Sequence, residues 1–135
     1  MPNEELHRAT KRVIDTLEQL TAAPVQGMTL TELASALKAP KSSLFPIVHT
    51  LCELHMLSLN PDTGRYCIGY KAYEIGNVYL RRGGLTTDIQ TQMHTIVEAC
   101  GETCYFAQLV EGDVFYLYKV DSTEPVRSEI GRAHV

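Results

Sequence analysis

Lys41, Ser42 and Ser43 stand together near the head of a segment, KAPKSSLFPIVHTL, that runs from Lys38 to Leu51. An ammonium and two hydroxyls in the first turn of a helix are donors suited to phosphate oxygens, and to base edges where such a turn enters a groove. On a wheel of about 100° per residue, Leu44, Ile47, Val48, Leu51 and Leu54 gather on one side. Ser42, Phe45, Pro46, His49 and Glu53 gather on the other. The first side reads as core and the second is left for a partner.

Pro46 is the difficulty in this segment. A proline inside a helix costs about 3 kcal/mol or more, but little in the first turn, whose N–H groups have no partner. If Ser42 is the cap, Pro46 becomes the fourth helical residue. The expected helix therefore begins at about Ser42 or Ser43 and continues unbroken through Leu54.

Other chemistry-bearing residues are sparse. Cys52, Cys67, Cys100 and Cys104 show no C-x-x-C spacing, and a thiol or metal site would have to draw on His94, Cys100 and Cys104. Buried or incidental thiols are the plainer reading, since tetrahedral metal sites usually show clearer paired spacing. Asp88, His94, Glu98 and Cys100 lie along one helix and its end, without a Gly-rich loop or a nucleophile elbow. No enzyme and no cofactor are expected.

The chain has 135 residues, 44% of them hydrophobic and 21% charged, with a formal net charge of −4. That balance argues against an indiscriminate nucleic-acid binder. Residues 1–71 carry seven Lys/Arg and seven Asp/Glu, and residues 72–135 carry five and nine. Any DNA binding must therefore come from local placement of charge. No apolar run approaches the roughly 20 residues of a membrane span, and MPNEELHRATKR has no signal-peptide core. A cytosolic protein is expected.

Several elements must position these residues. Leu6, Val13, Ile14, Leu17 and Leu20 recur at helical spacing from about Glu4 to Leu20, and TAAPVQG ends that helix. Thr29 with Glu32 three residues later reads as a capping box that opens a second helix, with Leu30, Leu33, Ala34 and Leu37 as its stripe. After the helix of Lys41–Leu54, the period changes. Met56, Leu57 and Leu59 lead into the turn NPDTG, and RYCIG resumes on the far side, which is a hairpin signal. Three helices and a hairpin are the layout of a winged helix-turn-helix.

Tyr70, Tyr73, Ile75, Val78 and Tyr79 make the next helix too apolar for an exposed spacer; packing on the first helix or on a second subunit is expected. A further helix runs from about Thr87 to Cys100, with Gly101 as its stop. TCYFAQLV and VFYLYKV then form a hairpin across EGD, and PVRSEI is a candidate third strand.

From Arg8 onward the chain resembles the IclR family of bacterial transcriptional regulators. The resemblance is carried by RVIDTLEQL, LTELASALKAPKSSL, NPDTGRYCIGYKAYEIG, ACGETCYFAQLVEGDVFYLYKV and EPVRSEIG, in this order and at these spacings. It implies an α+β chain in three parts: a winged helix-turn-helix over residues 1–69, a linker helix over 70–84, and the start of an α/β effector-binding domain over 85–135. The sheet and ligand pocket of that last domain would be largely absent. The ending IGRAHV fits the family's glycine-arginine stretch at this point and equally matches one reading frame of a sequencing adapter.

The partners implied are double-stranded operator DNA, a small organic effector, and a second copy in a homodimer or dimer of dimers. The protein would repress or activate a promoter. Its candidate DNA-binding residues are Thr29, Lys41, Ser42, Ser43, Phe45, His49 and Arg65.

The family usually carries a basic residue near Pro46. Phe45-Pro46 in its place removes a cation, leaving Phe45 either to pack on the second helix or to meet a thymine methyl. Arg65, beside the wing turn, either meets a phosphate or the minor groove or pairs with Asp62 across the hairpin. Arg8, Lys11 and Arg12 offer backbone contacts or form a solvated face. Two rival readings are a winged-helix protein-interaction module that has lost DNA binding and a thiol or metal sensor.

Overall fold

The computed structural model describes residues 5–122 and the backbone of residues 131–134. They form α1 (Arg8–Ala22), β1 (Met28–Thr29), α2 (Leu30–Leu37), α3 (Lys41–Glu53), β2 (Leu57–Asn60), β3 (Arg65–Ile68), α4 (Tyr70–Arg82), α5 (Thr87–Cys100), β4 (Cys104–Val110), β5 (Asp113–Val120) and β6 (Gly131–His134). This is the expected α+β order of a winged helix-turn-helix, a linker helix, and a helix with antiparallel strands. The chain divides into two compact units, Met1–Ile75 and Gly76–Val135, with the division inside α4.

In the first unit α1 begins later than its apolar spacing suggested. The His7 ring accepts from the Thr10 N–H at 3.3 Å and caps the helix at Arg8, so Leu6 falls outside it and is 71% exposed. Thr29 and Glu32 form the expected capping box at α2: the hydroxyl accepts from the Glu32 N–H and the carboxylate from the Thr29 N–H, each at 3.1 Å. Three helices and the wing close on Leu20, Leu33, Ala34, Leu44, Val48, Leu51, Leu57 and Tyr66. Burial of such side chains stabilises by about 1.5–3 kcal/mol each relative to exposure. Buried Thr16 is satisfied by donating to the Arg12 carbonyl at 2.7 Å. Leu54, placed on the core stripe by periodicity, is instead the C-terminal cap of α3 and is 59% exposed.

The wing is an antiparallel sheet in the order β1-β3-β2. Leu57 pairs with Ile68 and Asn60 with Arg65, while β1 pairs Met28 with Tyr66 and Thr29 with Arg65. The two-residue β1 has no periodicity to announce it. It depends on Gly27, whose φ of +85° and close approach to the Tyr66 carbonyl leave no room for a Cβ.

α4 buries no side chain, and Tyr70, Tyr73, Ile75, Val78 and Tyr79 are all exposed. In the second unit Met93, Val97 and Val120 form a core with Ile89, Cys104, Phe106 and Tyr118 packed against it. The sheet order is β4-β5-β6. Its hairpin turns at Glu111-Gly112, both at positive φ, and Asp113 already belongs to β5. The candidate strand PVRSEI lies outside the described residues.

Candidate nucleic-acid interface

The head of α3 differs from the sequence expectation. Pro40, in extended conformation, is the residue before the first turn, and the helix starts at Lys41 without a side-chain cap. A proline there suits the geometry, because its ψ of 141° feeds the chain into the helix. Ser43 and Leu44 both donate to the Pro40 carbonyl at 3.1 Å. The N–H groups of Lys41 and Ser42 precede any intrahelical acceptor. With no acidic residue in the first turn, the helix start keeps its partial positive charge.

Pro46 is consequently the sixth residue of α3, not the fourth, and the helix still runs unbroken to Glu53. The missing N–H removes the bond that would go to the Ser42 carbonyl. The Pro46 carbonyl is used, accepting from the Thr50 hydroxyl at 2.7 Å. The core stripe of Leu44, Val48 and Leu51 is buried and holds the helix across that missing bond.

Lys41, Ser42, Ser43, Phe45 and His49 are all exposed on α3. Phe45 is 50% exposed and stacks on His49, with ring centres 5.7 Å apart and planes 22° from parallel. Thr29, the other candidate from the helix-turn-helix, is half-buried and spends its hydroxyl oxygen on the capping box.

Arg65 makes neither a hairpin pair with Asp62 nor a purely solvated side chain. Its Nη1 donates to Glu32 Oε1 and to the Gly27 carbonyl, both at 3.0 Å. Glu32 accepts from the Thr29 backbone, which is the main reason its carboxyl sits below the ordinary range; the Thr29 hydroxyl bond and Arg65 add to this, and partial desolvation opposes it. At the wing tip Asn60 closes the turn, its carbonyl accepting from Gly64 at 2.8 Å and its side chain from Asp62 at 2.9 Å.

Sequence reasoning missed how α1 sits against α3. His7, Arg8, Ala9 and Arg12 line a depression of about 480 Å³ together with Ser43 and Ile47 of α3. Arg8 and Arg12, one turn apart on α1, therefore share that depression with Ser43 at the head of α3, while Lys11 turns aside to Asp15 at 2.7 Å. The only available signal was the i, i+4 spacing of Arg8 and Arg12, which says which face of α1 they share but not what faces them.

The residues of the thiol reading are spread out: His94 is half-buried on α5, Cys100 is exposed at its end, and Cys104 packs in the second core. Among the described residues no group of three or more His, Cys, Asp or Glu side chains is gathered to hold a metal. No helix among them is long and apolar enough to cross a membrane.

No family model matches the chain. It is 26% identical over 121 residues to the HTH-type transcriptional regulator BhcR of Paracoccus denitrificans, covering 90% of this chain and 43% of that protein. It is 27% identical over 105 residues to the HTH-type transcriptional regulator KdgR of Escherichia coli, covering 76% of this chain and 40% of that one. The chain thus spans less than half the length of these curated relatives.

Solved structures share its fold. Pseudomonas aeruginosa HmgR superposes with a TM-score of 0.76 at 17% identity, over 96% of this chain and 55% of that one. Thermotoga maritima IclR gives 0.73 at 23% identity, over 95% and 53%. An IclR homolog from Microbacterium hydrocarbonoxydans, complexed with 4-hydroxybenzoate, gives 0.73 at 20% identity, over 93% and 53%. The fold expected from the sequence is therefore the fold of these solved structures.

Proposed function

We propose that this chain, which shares the sequence pattern and the fold of the IclR transcriptional regulators, is the DNA-reading part of such a regulator together with the beginning of its effector domain. On this reading residues 1–69 bind operator DNA, the helix of 70–84 links, and residues 85–135 begin a domain that takes a small organic effector. The protein works in the cytosol as a homodimer or a dimer of dimers. Two copies would set their α3 helices into half-sites about one DNA turn apart.

The observation that carries this reading is the head of α3. It is exposed, uncapped and free of acid, with Lys41, Ser42 and Ser43 in its first turn and Arg8 and Arg12 beside Ser43. These groups suit consecutive phosphates, whose contacts position a helix without specifying sequence. Both bonds of Arg65 come from Nη1, so its other nitrogens remain as donors to a phosphate at the groove edge. Thr29 contributes through the cap that sets the start of α2. Effector binding would shift operator affinity by favouring one dimer geometry over another.

The test is a gel shift on DNA upstream of the gene and its neighbours, repeated across a salt series. Specific binding whose logarithm falls linearly with the logarithm of salt concentration is the expected result. No shift at low salt sinks the reading and leaves the protein-interaction module in its place.

A further inference from the structure

The outward face of α3 is unusual for a surface meant to read bases. Its middle holds Phe45, Pro46 and His49, with Lys41 at one end and Glu53 at the other. Between those ends it has no long cationic side chain and no amide, the groups that make two-pronged contacts to guanine or adenine. What it does have is a pair of rings. Phe45 and His49 stand one turn apart and stack at 5.7 Å, with Phe45 half exposed and His49 exposed. The stack holds each ring against the other, so an apolar surface and an imidazole edge are presented together. Proline at position 46 adds no competing donor.

In the major groove the apolar complement to such a surface is the C5-methyl group of thymine; the ring nitrogens of an imidazole complement the acceptors and donors of a neighbouring pair. Base pairs rise about 3.4 Å per step, so rings centred 5.7 Å apart span neighbouring steps. We infer that the stacked Phe45–His49 pair is the base-reading element of α3, and that it selects a pyrimidine bearing a C5-methyl group.

This rests on the DNA-binding reading above. Lys41, Ser42, Ser43, Arg8 and Arg12 then hold the backbone, and the ring pair supplies sequence preference. A 5-methylcytosine at the same position presents the same methyl group and is read in the same way.

Duplexes enriched from a random pool by the full chain are the probe, with each thymine replaced in turn by deoxyuridine. At one thymine in each half-site, loss of the methyl group weakens binding about fourfold, the worth of one buried carbon. Cytosine at that position weakens binding as well, and 5-methylcytosine recovers the methyl component. Phe45→Ala, checked for an unchanged helical spectrum and melting curve, binds the thymine and deoxyuridine duplexes alike.

Wild-type protein indifferent to deoxyuridine at every thymine overturns the inference and needs no variant. A methyl effect that persists in both Phe45→Ala and His49→Ala overturns it too. If no duplex is enriched at all, the DNA-binding reading itself fails, an outcome distinct from indifference to the methyl group.

Discussion

Arg65, the first residue of β3, is fastened to Glu32 in the first turn of α2, 33 residues away, by a bond of 3.0 Å from Nη1. The same nitrogen donates to the Gly27 carbonyl at 3.0 Å. One guanidinium thus ties the wing to the capping box and to the turn that precedes it. Three parts of the helix-turn-helix share that group.

Glu32 therefore gives the fold a pH dependence of definite sign. Its carboxyl titrates lower in the folded chain than in the unfolded one, chiefly because the Thr29 N–H bonds it. The stability it contributes is full above the ordinary carboxylate value of 4.5 and fades as pH falls through its lower folded value. Urea midpoints measured between about pH 3 and pH 7 are expected to separate wild type from Glu32→Gln above that value. The two curves should converge below it. A constant separation at all pH values contradicts this account.

Gly27 is the glycine least able to change among the described residues. It lies at a φ of +85°, and an added Cβ would press on the Tyr66 carbonyl and sit 2.7 Å from Cys67 Sγ. Gly27→Ala is expected to cost about 3 kcal/mol or more, from left-handed strain together with the displaced β1–β3 pairing. Gly64, also at positive φ, has open space where a Cβ would go. Gly64→Ala should cost only about 1 kcal/mol. Thermal melts of the two variants check the contrast.

Pro46 separates stability from recognition. Pro46→Ala returns the N–H that the Ser42 carbonyl lacks and should stabilise the protein by about 1–2 kcal/mol, after allowing for the greater freedom of the unfolded chain. Pro46→Arg restores the same bond and adds a cation to the outward face. Its DNA affinity should rise at low salt, with the salt slope steeper by about one. A stabilised variant with an unchanged slope would show that this face does not meet phosphates.

Alkali should loosen the first core. Burial pushes the Cys52 thiol upward, with Glu53 adding to it, and burial likewise raises the Tyr66 phenol, with Cys52 adding. Both groups favour their neutral forms when folded. Their contribution is complete below the ordinary values of 9.0 and 10.0 and is lost as pH rises beyond them. Unfolding midpoints should fall from about pH 9 upward, and less steeply in Cys52→Ala.

Much of this architecture is legible in the residues alone, because helices and hairpins are made by near neighbours. Apolar residues at helical spacing mark α1, α2, α3 and α5. The Thr29–Glu32 pair marks the start of α2, and NPDTG marks the wing turn. The outward face of α3 also follows from spacing, and the structure exposes the same Ser42, Phe45, Pro46, His49 and Glu53.

Contacts between distant residues decided the rest. The start of α3 at Lys41 is a local exception, set by the extended Pro40 without a side-chain cap. The two residues of β1 became a strand only through Arg65 and Tyr66, Arg65 found Glu32 instead of Asp62, and Arg8 and Arg12 came beside Ser43. A period of residues along the chain records which side of an element turns inward. It holds no record of which other element waits there, since that is settled by packing the elements of each unit into that unit's own core.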